Sequence, residues 1–232
     1  MTPPPGFVVS GGAGALGRVV VRALLDRGAR VAVPYRASPE WDGFRTSVPD
    51  PGALWGAPAD VADPTVAQAF MDEAAAWLTR VDGVAALAGA YSASGTLETA
   101  PVEEWRRMMS ANLGTAYGLC RAALPHLLRS RGSVVTVASR LVEQGGDGAA
   151  AYAVSKAAVI ALTRVLAREN QARGVRFNCV VPGVIDTAAN RSAMAAADAS
   201  HFVPPEAIAR VVLFLLSPES SPVTGAVIPV DA

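Results

Sequence analysis

The feature that most constrains this chain lies near its start, where a short apolar run is followed at once by a glycine-rich loop and a helical pattern. Residues 7–9 are Phe-Val-Val, and residues 10–17 read Ser-Gly-Gly-Ala-Gly-Ala-Leu-Gly. From residue 15 to residue 27 the apolar side chains recur at helical spacing, and Gly28 follows as a C-terminal cap. Because the N-terminus of a helix attracts anions, this order of strand, loop and helix predicts a phosphate-binding loop, with a purely structural turn as the alternative.

Strand and helix patterns alternate along the rest of the chain. Further strand patterns cover residues 30–33, 53–57, 82–89, 133–138, 175–181 and 225–230. Long helical patterns cover residues 101–129, 149–173 and 204–216, and another starts at Asp63. We expect a loop with at most a short helix at residues 40–51 and an irregular segment at residues 186–203. This alternation predicts an α/β fold in which a doubly wound, mostly parallel seven-stranded sheet carries helices on both faces.

The composition argues against several classes of protein. With 51% hydrophobic and 17% charged residues, the chain suits one folded domain over residues 1–232, of which residues 1–6 form a flexible tail. Twenty basic residues balance twenty acidic ones, so we expect no nucleic acid and no anionic membrane as a partner. The start does not read as a signal peptide, and no apolar run approaches the roughly 18 residues of a membrane span. Cys120 and Cys179 show no metal or disulfide spacing, so we expect buried free thiols, no metal and a cytoplasmic location.

The cofactor preference is predicted from the end of the second strand. A dinucleotide-binding fingerprint carries an acidic residue about 20 positions beyond the glycines, where it bonds the adenosine ribose. This strand instead ends in Tyr35 and Arg36, and a guanidinium there suits a 2′-phosphate. We therefore expect NADP(H), with NAD(H) as the alternative and a solvated loop arginine as the structural interpretation of Arg36. After the third strand, Asp60 is placed to bond the adenine and Val61 to support it.

Three polar side chains are predicted to meet after the fifth strand. Ser139 follows the apolar run of residues 133–138, a glycine-rich loop comes next, and Tyr152 and Lys156 open a helical pattern. Residues four apart lie on the same face of a helix, so the phenol and the ammonium point at one small volume, which Ser139 reaches from the strand end. This combination suggests proton transfer, and we expect the positive charge of Lys156 to lower the pKa of Tyr152.

Residues suited to a ligand also lie at the ends of other strands. Gly89 ends the fourth strand, Pro182 and Gly183 end the sixth, and Asn112 lies on or near the apolar face of the helical pattern at residues 101–129. Asn112 is either a core amide with satisfied hydrogen bonds or a positioned functional group. In parallel sheets, ligands bind beyond the carboxyl ends of the strands where the strand order reverses, so these residues predict one site at that edge.

Taken in order, these motifs resemble the short-chain dehydrogenase/reductase family over essentially the whole chain. The resemblance rests on the loop Ser-Gly-(x)3-Ala-x-Gly, the helix asparagine, the serine followed thirteen residues later by Tyr-x-x-x-Lys, and the stretch Pro-Gly-x-Ile-x-Thr. It implies an oxidoreductase with the catalytic residues Asn112, Ser139, Tyr152 and Lys156. The residues expected to contact the cofactor are Ser10, Gly11, Ala15, Leu16, Gly17, Tyr35, Arg36, Asp60, Val61, Ala88, Gly89, Tyr152, Lys156, Pro182, Gly183, Ile185 and Thr187.

The family pattern implies a role for each catalytic side chain. Tyr152 would act as the general acid/base that protonates the nascent alkoxide, and Lys156 would bond the nicotinamide ribose. Ser139 would hold the substrate carbonyl oxygen, and Asn112 would anchor a water that links Lys156 to solvent. The Pro-Gly-x-Ile-x-Thr stretch would fix the carboxamide of the nicotinamide through its backbone and its threonine hydroxyl.

The chain departs from the family pattern at three places. Ser10 replaces a threonine and keeps its hydroxyl, and Ala15 replaces the middle glycine of the loop. Ala86 and Leu87 stand where the family has two asparagines, so two amides that would support neighbouring strands are absent.

Three hypotheses for the function follow. The leading one is hydride transfer between NADP(H) and a carbonyl/alcohol pair, with a small-molecule carbonyl or alcohol as substrate. A local resemblance of residues 185–205 to dihydropteridine-reductase-like proteins keeps open the reduction of a C=N bond in a pterin or imine. A sensor that binds NADP(H) without catalysis is the third. Because family members associate through two long helices, the resemblance also implies a homodimer or homotetramer.

Overall fold

The parallel sheet at the centre of the molecule is seen in a computed structural model that describes residues 3–194 and 198–232. Its strands are β1 Gly6–Ser10, β2 Arg30–Tyr35, β3 Leu54–Pro58, β4 Gly83–Ala86, β5 Ser133–Val137, β6 Arg176–Pro182 and β7 Val227–Val230. Within the described residues these seven strands form one sheet in the order β3-β2-β1-β4-β5-β6-β7, and every neighbouring pair is parallel. The predicted α/β class with a doubly wound seven-stranded sheet is confirmed.

Helices cover both faces of this sheet. They are α1 Ala15–Leu25, α2 Ser38–Arg45, α3 Pro64–Leu78, α4 Val102–Met108, α5 Thr115–Ser130, α6 Leu141–Gln144, α7 Ala150–Asn170, α8 Ala188–Ala193 and α9 Pro205–Leu216. α1 packs against α9 and α3 packs against α5, each pair over its own apolar cluster. Successive side chains of β1 point to opposite faces of the sheet. Val8 therefore packs with residues of α3 and α5, and Val9 packs with residues of α1 and α9.

The strand order reverses between β1 and β4, which are hydrogen-bonded neighbours in the sheet. From β1 the chain builds outward to β3, and from β4 it builds in the opposite direction to β7. The connections that leave β1 and β4 therefore diverge, and they leave a crevice at the carboxyl ends of these strands. That crevice is where parallel sheets bind their ligands.

The predicted tail at residues 1–6 is shorter in the structure. Gly6 is the first residue of β1, and its N–H donates a 2.9 Å hydrogen bond to the carboxylate of Asp82. The carbonyl oxygen of Pro5 accepts a 2.9 Å hydrogen bond from the first residue of β2. Residues 1 and 2 lie outside the described residues.

The segment predicted at residues 40–51 as a loop with at most a short helix holds such a helix, α2, in its first half, because two aromatic side chains anchor it there. Trp41 and Phe44 are 3% and 1% exposed. The Trp41 ring stacks on Tyr35 with 5.1 Å between ring centroids, and a Cβ atom at Gly56 would lie 2.5 Å from the Trp41 ring. Burial of these rings outweighs the weak helix propensity of Pro, Asp and Gly in the segment.

One helix among the described residues, Ala150–Arg173, is long and apolar enough to cross a membrane by length and composition alone. It comprises α7 and a final 3₁₀ turn, and it packs against β5 and β6. Part of the segment predicted to be irregular, residues 195–197, lies outside the described residues. The rest is ordered by α8 and by a β-bridge between Ile185 and Val203.

Candidate active site

The loop after β1 forms a tight backbone cradle at the start of α1. Gly11 has a φ of +68°, and its carbonyl oxygen accepts a 3.0 Å hydrogen bond from the N–H of Gly14. A Cβ atom at Gly17 would lie 2.0 Å from the Gly11 oxygen, so only glycine fits there. The side chain of Leu16 is buried in the core, whereas Ala15 is exposed at the first turn of α1. The loop thus presents backbone rather than side chains to a ligand, which suits a pyrophosphate.

The end of β4 is joined to this loop by a side-chain hydrogen bond. Ser10 is 1% exposed, and its Oγ accepts a 3.3 Å hydrogen bond from the N–H of Ala88. The serine hydroxyl therefore supports the strand end even though Ala86 and Leu87 have no side-chain amide. A Cβ atom at Gly89 would lie 2.6 Å from Asn112 Oδ1 and 3.1 Å from Lys156 Nζ.

Asn112 lies in a single π-helical turn, Met109–Gly114, between α4 and α5. The helix predicted at residues 101–129 therefore carries a distortion at Asn112, and π turns of this kind are frequent at functional sites. The side chain is 1% exposed; its Oδ1 accepts from the N–H of Ala90 (2.9 Å), and its Nδ2 donates to the Ala90 oxygen (3.0 Å). Asn112 thus fixes the backbone that follows β4.

Lys156 projects from α7 into the same buried space. It is 6% exposed, and its Nζ donates a 3.0 Å hydrogen bond to the carbonyl oxygen of Val137, the last residue of β5. Burial lowers the pKa of the Lys156 ammonium to about 8, an effect that the nearby Cys179 thiol opposes. The atoms Lys156 Nζ and Asn112 Oδ1 both border the point that a Gly89 Cβ would occupy, at 3.1 and 2.6 Å, so they face one small space.

Tyr152 and Ser139 meet at the mouth of this space, as the spacing predicts. Burial raises the pKa of the Tyr152 phenol, a side-chain hydrogen bond with Ser139 lowers it, and Tyr91 raises it. The Oγ of Ser139 also accepts a 3.3 Å hydrogen bond from the N–H of Leu141, which orients the hydroxyl. The two hydroxyl groups can therefore bind one oxygen atom of a substrate between them.

The predicted lowering of the Tyr152 pKa is wrong for this arrangement of the site. The Tyr152 pKa is raised, with burial as the largest cause. The ammonium lies 6.0 Å from the centroid of the Tyr152 ring and donates to Val137 instead. Burial also favours the neutral amine, which weakens any effect on the phenol.

The stretch after β6 has its polar groups arranged around α8. Thr187 Oγ1 accepts a 3.0 Å hydrogen bond from the N–H of Asn190 and so caps α8. Asn190 Nδ2 donates to the Ile185 oxygen at 2.8 Å. The hydroxyl proton of Thr187 is not used in this cap and can be donated to a carboxamide. Pro182 ends β6, and the N–H of Gly183 donates to Val230 at 3.1 Å.

The opposite end of the crevice carries the residues predicted for the adenosine. Arg36 directly follows β2 and is exposed, while Tyr35 is half-buried against Trp41. Asp60 is exposed, and its carboxylate accepts a 3.1 Å hydrogen bond from the N–H of Ala62. Val61 is 4% exposed and packs in the core, which leaves little of its side chain for an adenine. The adenine contact stays a prediction.

Comparisons with known proteins agree with this geometry. A family model described as Enoyl-(Acyl carrier protein) reductase matches residues 11–232. Meso-2,3-butanediol dehydrogenase of Serratia marcescens is 33% identical over 97% of this chain and 92% of its own length. Cis-4-hydroxycyclohexanecarboxylate dehydrogenase of Sinomonas cyclohexanicum is 36% identical over 97% of this chain and 94% of its own length. A solved short-chain dehydrogenase/reductase of Brucella melitensis superposes with a TM-score of 0.86 at 29% identity, over 98% of this chain and 95% of that one.

The chain belongs to the short-chain dehydrogenase/reductase family. Its relatives are named as dehydrogenases and reductases, so the chain is an oxidoreductase. The crevice fits a nicotinamide dinucleotide for two reasons. The glycine loop stays open only because Gly17 has no Cβ atom, and the absence of a Cβ atom at Gly89 leaves a gap beside Lys156.

Ser155 is a buried polar residue beside the site of this short-chain dehydrogenase/reductase that the sequence pattern did not single out. It is fully buried; its Oγ accepts from Asn112 Nδ2 (2.9 Å) and donates to the Tyr152 carbonyl oxygen (2.7 Å). It therefore links the π turn to the helix that carries the phenol. The sequence did contain a signal for it: Ser155 lies three residues after Tyr152, and residues three apart lie on the same face of a helix.

The substitution Ser155→Ala is expected to lower the free energy of unfolding by about 1–3 kcal/mol, because one buried N–H of Asn112 is left without an acceptor. Urea unfolding of the purified protein measures the loss. Ser110→Ala is the matched control, since Ser110 is exposed on the same π turn and its removal should change the stability by less than about 0.5 kcal/mol. Equal stability of the two variants would contradict the bridging role.

A cavity of about 730 Å³ lies at the other, amino end of the strands, away from this site. Arg176 in its wall donates to the carbonyl oxygens of Leu215 (2.9 Å) and Ser217 (3.0 Å) at the end of α9. The arginine thereby ties α9 to β6.

Within the described residues, no three His, Cys, Asp or Glu side chains group as a metal site.

Proposed function

We propose that this protein is an NADP(H)-dependent oxidoreductase with one catalytic domain over residues 1–232 that interconverts a small carbonyl compound and its alcohol. The observation that carries the proposal is the meeting of Ser139, Tyr152 and Lys156 at the carboxyl ends of the strands, beside the glycine cradle. A phosphate-binding cradle alone would fit a sensor. A half-buried phenol held beside a serine hydroxyl is instead a proton donor, which a sensor does not need.

The nicotinamide supplies or accepts the hydride when it is bound. In reduction, the hydroxyls of Ser139 and Tyr152 bind the carbonyl oxygen, and the Tyr152 hydroxyl gives that oxygen its proton. In oxidation, Tyr152 takes the proton from the alcohol. Lys156 would bond the ribose next to the nicotinamide, and the buried Asn112 holds the backbone that shapes the space. With its pKa raised by burial, the Tyr152 phenol is protonated at neutral pH and so carries the proton that reduction of a carbonyl requires.

The relatives favour a carbonyl/alcohol pair over a C=N bond. The proteins from Serratia marcescens and Sinomonas cyclohexanicum are named for butanediol and for a hydroxycyclohexanecarboxylate, both of which are alcohols. The two arginines near the site are already paired, Arg140 with Glu143 and Asp231, and Arg191 with Asp186 at 2.5 Å. These arginines therefore do not by themselves indicate a negatively charged substrate.

Arg36 supports the preference for NADP(H). It is exposed at the end of β2, where an acid would bond the ribose of NAD(H) and repel a 2′-phosphate. A guanidinium there can form charge-assisted hydrogen bonds with the phosphate oxygens. The neighbouring Tyr35 is held by its stack on Trp41, which fixes the backbone from which Arg36 projects.

Arg36→Asp is expected to raise the KM for NADPH at least about tenfold and to leave the KM for NADH unchanged or lower, because a favourable charge is replaced by a repulsive one. Steady-state kinetics with both cofactors measures the change. Arg45→Asp makes the same charge change at an exposed position of α2 and should preserve the ratio of the two KM values. An unchanged ratio in Arg36→Asp would contradict this assignment.

A homodimer or homotetramer is proposed on the basis of an apolar surface. The exposed apolar side chains on α4, α5 and α7 are Val102, Trp105, Tyr117, Val154 and Val165. Burying such a surface favours association. We expect light scattering at micromolar concentration to give the mass of a dimer or tetramer, and a monomeric mass would contradict this.

A cytoplasmic location is proposed from the cysteines. The buried thiols of Cys120 and Cys179 suit the reducing cytoplasm.

A further inference from the structure

Tyr91 lies against the phenol of Tyr152 but belongs to no core cluster. The two rings are edge to face, with 4.9 Å between centroids and an interplanar angle of 78°. Tyr91 is 63% exposed, so its ring covers Tyr152 on one side and faces the crevice and solvent on the other. Packing in the core does not explain a large aromatic ring with this exposure.

The backbone on both sides of Tyr91 is fixed by hydrogen bonds to the helix that follows. On one side, Ala90 exchanges two hydrogen bonds with the Asn112 amide, at 2.9 and 3.0 Å. On the other side, Ser92 Oγ donates to the buried carboxylate of Glu104 at 2.6 Å and accepts from Arg107 at 2.9 Å. Hydrogen bonds from serine side chains, with Ser92 the largest contributor, lower the pKa of Glu104 and keep it an acceptor. The exposed ring is therefore held in place beside the acid/base, as a binding wall requires.

We propose that Tyr91 is a specificity-determining and positioning residue, whose ring forms the wall of the substrate site beside Tyr152 and selects cyclic alcohols and ketones, in which the reacting carbon belongs to a ring. A fixed aromatic face packs best on a flat or cyclic apolar body, which buries its whole surface there. A short acyclic substrate leaves most of this face exposed to water. The selectivity depends on the proposed function, whereas the contact with Tyr152 does not.

The same contact affects the phenol itself. Burial is the largest cause of the raised pKa of Tyr152, the hydrogen bond with Ser139 opposes it, and Tyr91 adds to it. Tyr91 adds to the raised pKa through charge, and its ring also lies against one side of the phenol. We therefore expect removal of the ring to expose the phenolate to solvent and to lower the pKa. Positioning by Tyr91 thus has a spectroscopic readout that needs no substrate.

The first experiment titrates the ultraviolet absorbance of phenolate in Tyr91→Phe and Tyr91→Ala. Both variants lack the phenol of Tyr91. From the titration curve of each variant we subtract that of the same variant with Tyr152→Phe added, so that the absorbance of the other tyrosines cancels and only that of Tyr152 remains. We expect a lower titration midpoint for Tyr152 in Tyr91→Ala than in Tyr91→Phe, because only the latter keeps the ring. Equal midpoints overturn the positioning role whether or not turnover is found.

The second experiment compares the oxidation of cyclohexanol and 2-butanol. Tyr91→Ala should lower kcat/KM for cyclohexanol at least about tenfold and for 2-butanol less than about threefold, while Tyr91→Phe keeps the wild-type ratio. Leu97→Ala, at an 83% exposed position of the same loop, is the control and should keep both values. Equal losses for the two alcohols, or no loss, overturn the specificity role. Absence of turnover in the wild type counts against the proposed function, and the titration alone then decides the role of Tyr91.

Discussion

Tyr152→Phe is expected to lower kcat by about a thousandfold in both directions and to leave the dissociation constant of NADPH within about a factor of two. The phenyl ring keeps the edge-to-face contact with Tyr91, so the packing of the site is preserved. Only the hydroxyl that gives or takes the proton is lost. Steady-state kinetics and a fluorescence titration of NADPH measure the two quantities.

Tyr117→Phe is the matched control for this variant. Tyr117 is a tyrosine on α5 with a 42% exposed side chain, and its hydroxyl contacts Arg121 rather than the site. We expect this variant to retain wild-type turnover. Wild-type turnover in Tyr152→Phe would show that another group moves the proton.

Gly17→Ala is expected to weaken NADPH binding by about a hundredfold or more, since the cradle cannot accept a side chain without opening. The added Cβ atom would lie 2.0 Å from the Gly11 oxygen and 2.7 Å from the Gly12 Cα, both of them backbone atoms that cannot rotate away. The N–H groups of the loop would then move from the positions that face the pyrophosphate. Fluorescence titration of NADPH gives the affinity, and circular dichroism verifies that the variant is folded.

Gly43→Ala provides the comparison for the loss of a glycine. Gly43 lies in α2, and a Cβ atom there would meet nothing within 4 Å. Because alanine favours a helix over glycine by about 1 kcal/mol, this variant should bind NADPH normally and unfold at an equal or higher temperature. Normal NADPH affinity in Gly17→Ala would contradict the cradle.

The sequence predicts those parts of the site that depend on local geometry. Tyr152 and Lys156 share a helix face because they are four residues apart, and the glycine loop follows from its position between a strand and a helix. The strand ends then bring Ser139 and the glycine loop to one edge, because parallel strands of a single sheet have their carboxyl ends together.

The remaining features depend on contacts between distant segments, which no local pattern contains. The π turn at Asn112 is held by Ala90 and Ser155, which are 22 and 43 residues away. The direction of Lys156, toward Val137 rather than the phenol, likewise follows from burial in the assembled fold. Burial rather than Lys156 sets the net shift, so the pKa of Tyr152 is raised where the spacing predicted a lowering.

The fate of NADPH on addition of a ketone tests the central claim most directly. Purified protein is mixed with NADPH and with cyclohexanone or a small diketone, and the loss of NADPH absorbance is compared with the alcohol formed. We predict that NADPH is consumed in a one-to-one ratio with the alcohol, and that Tyr152→Phe abolishes both changes. Tight NADPH binding by the wild type, with no alcohol formed from any ketone in a broad panel, would contradict the account.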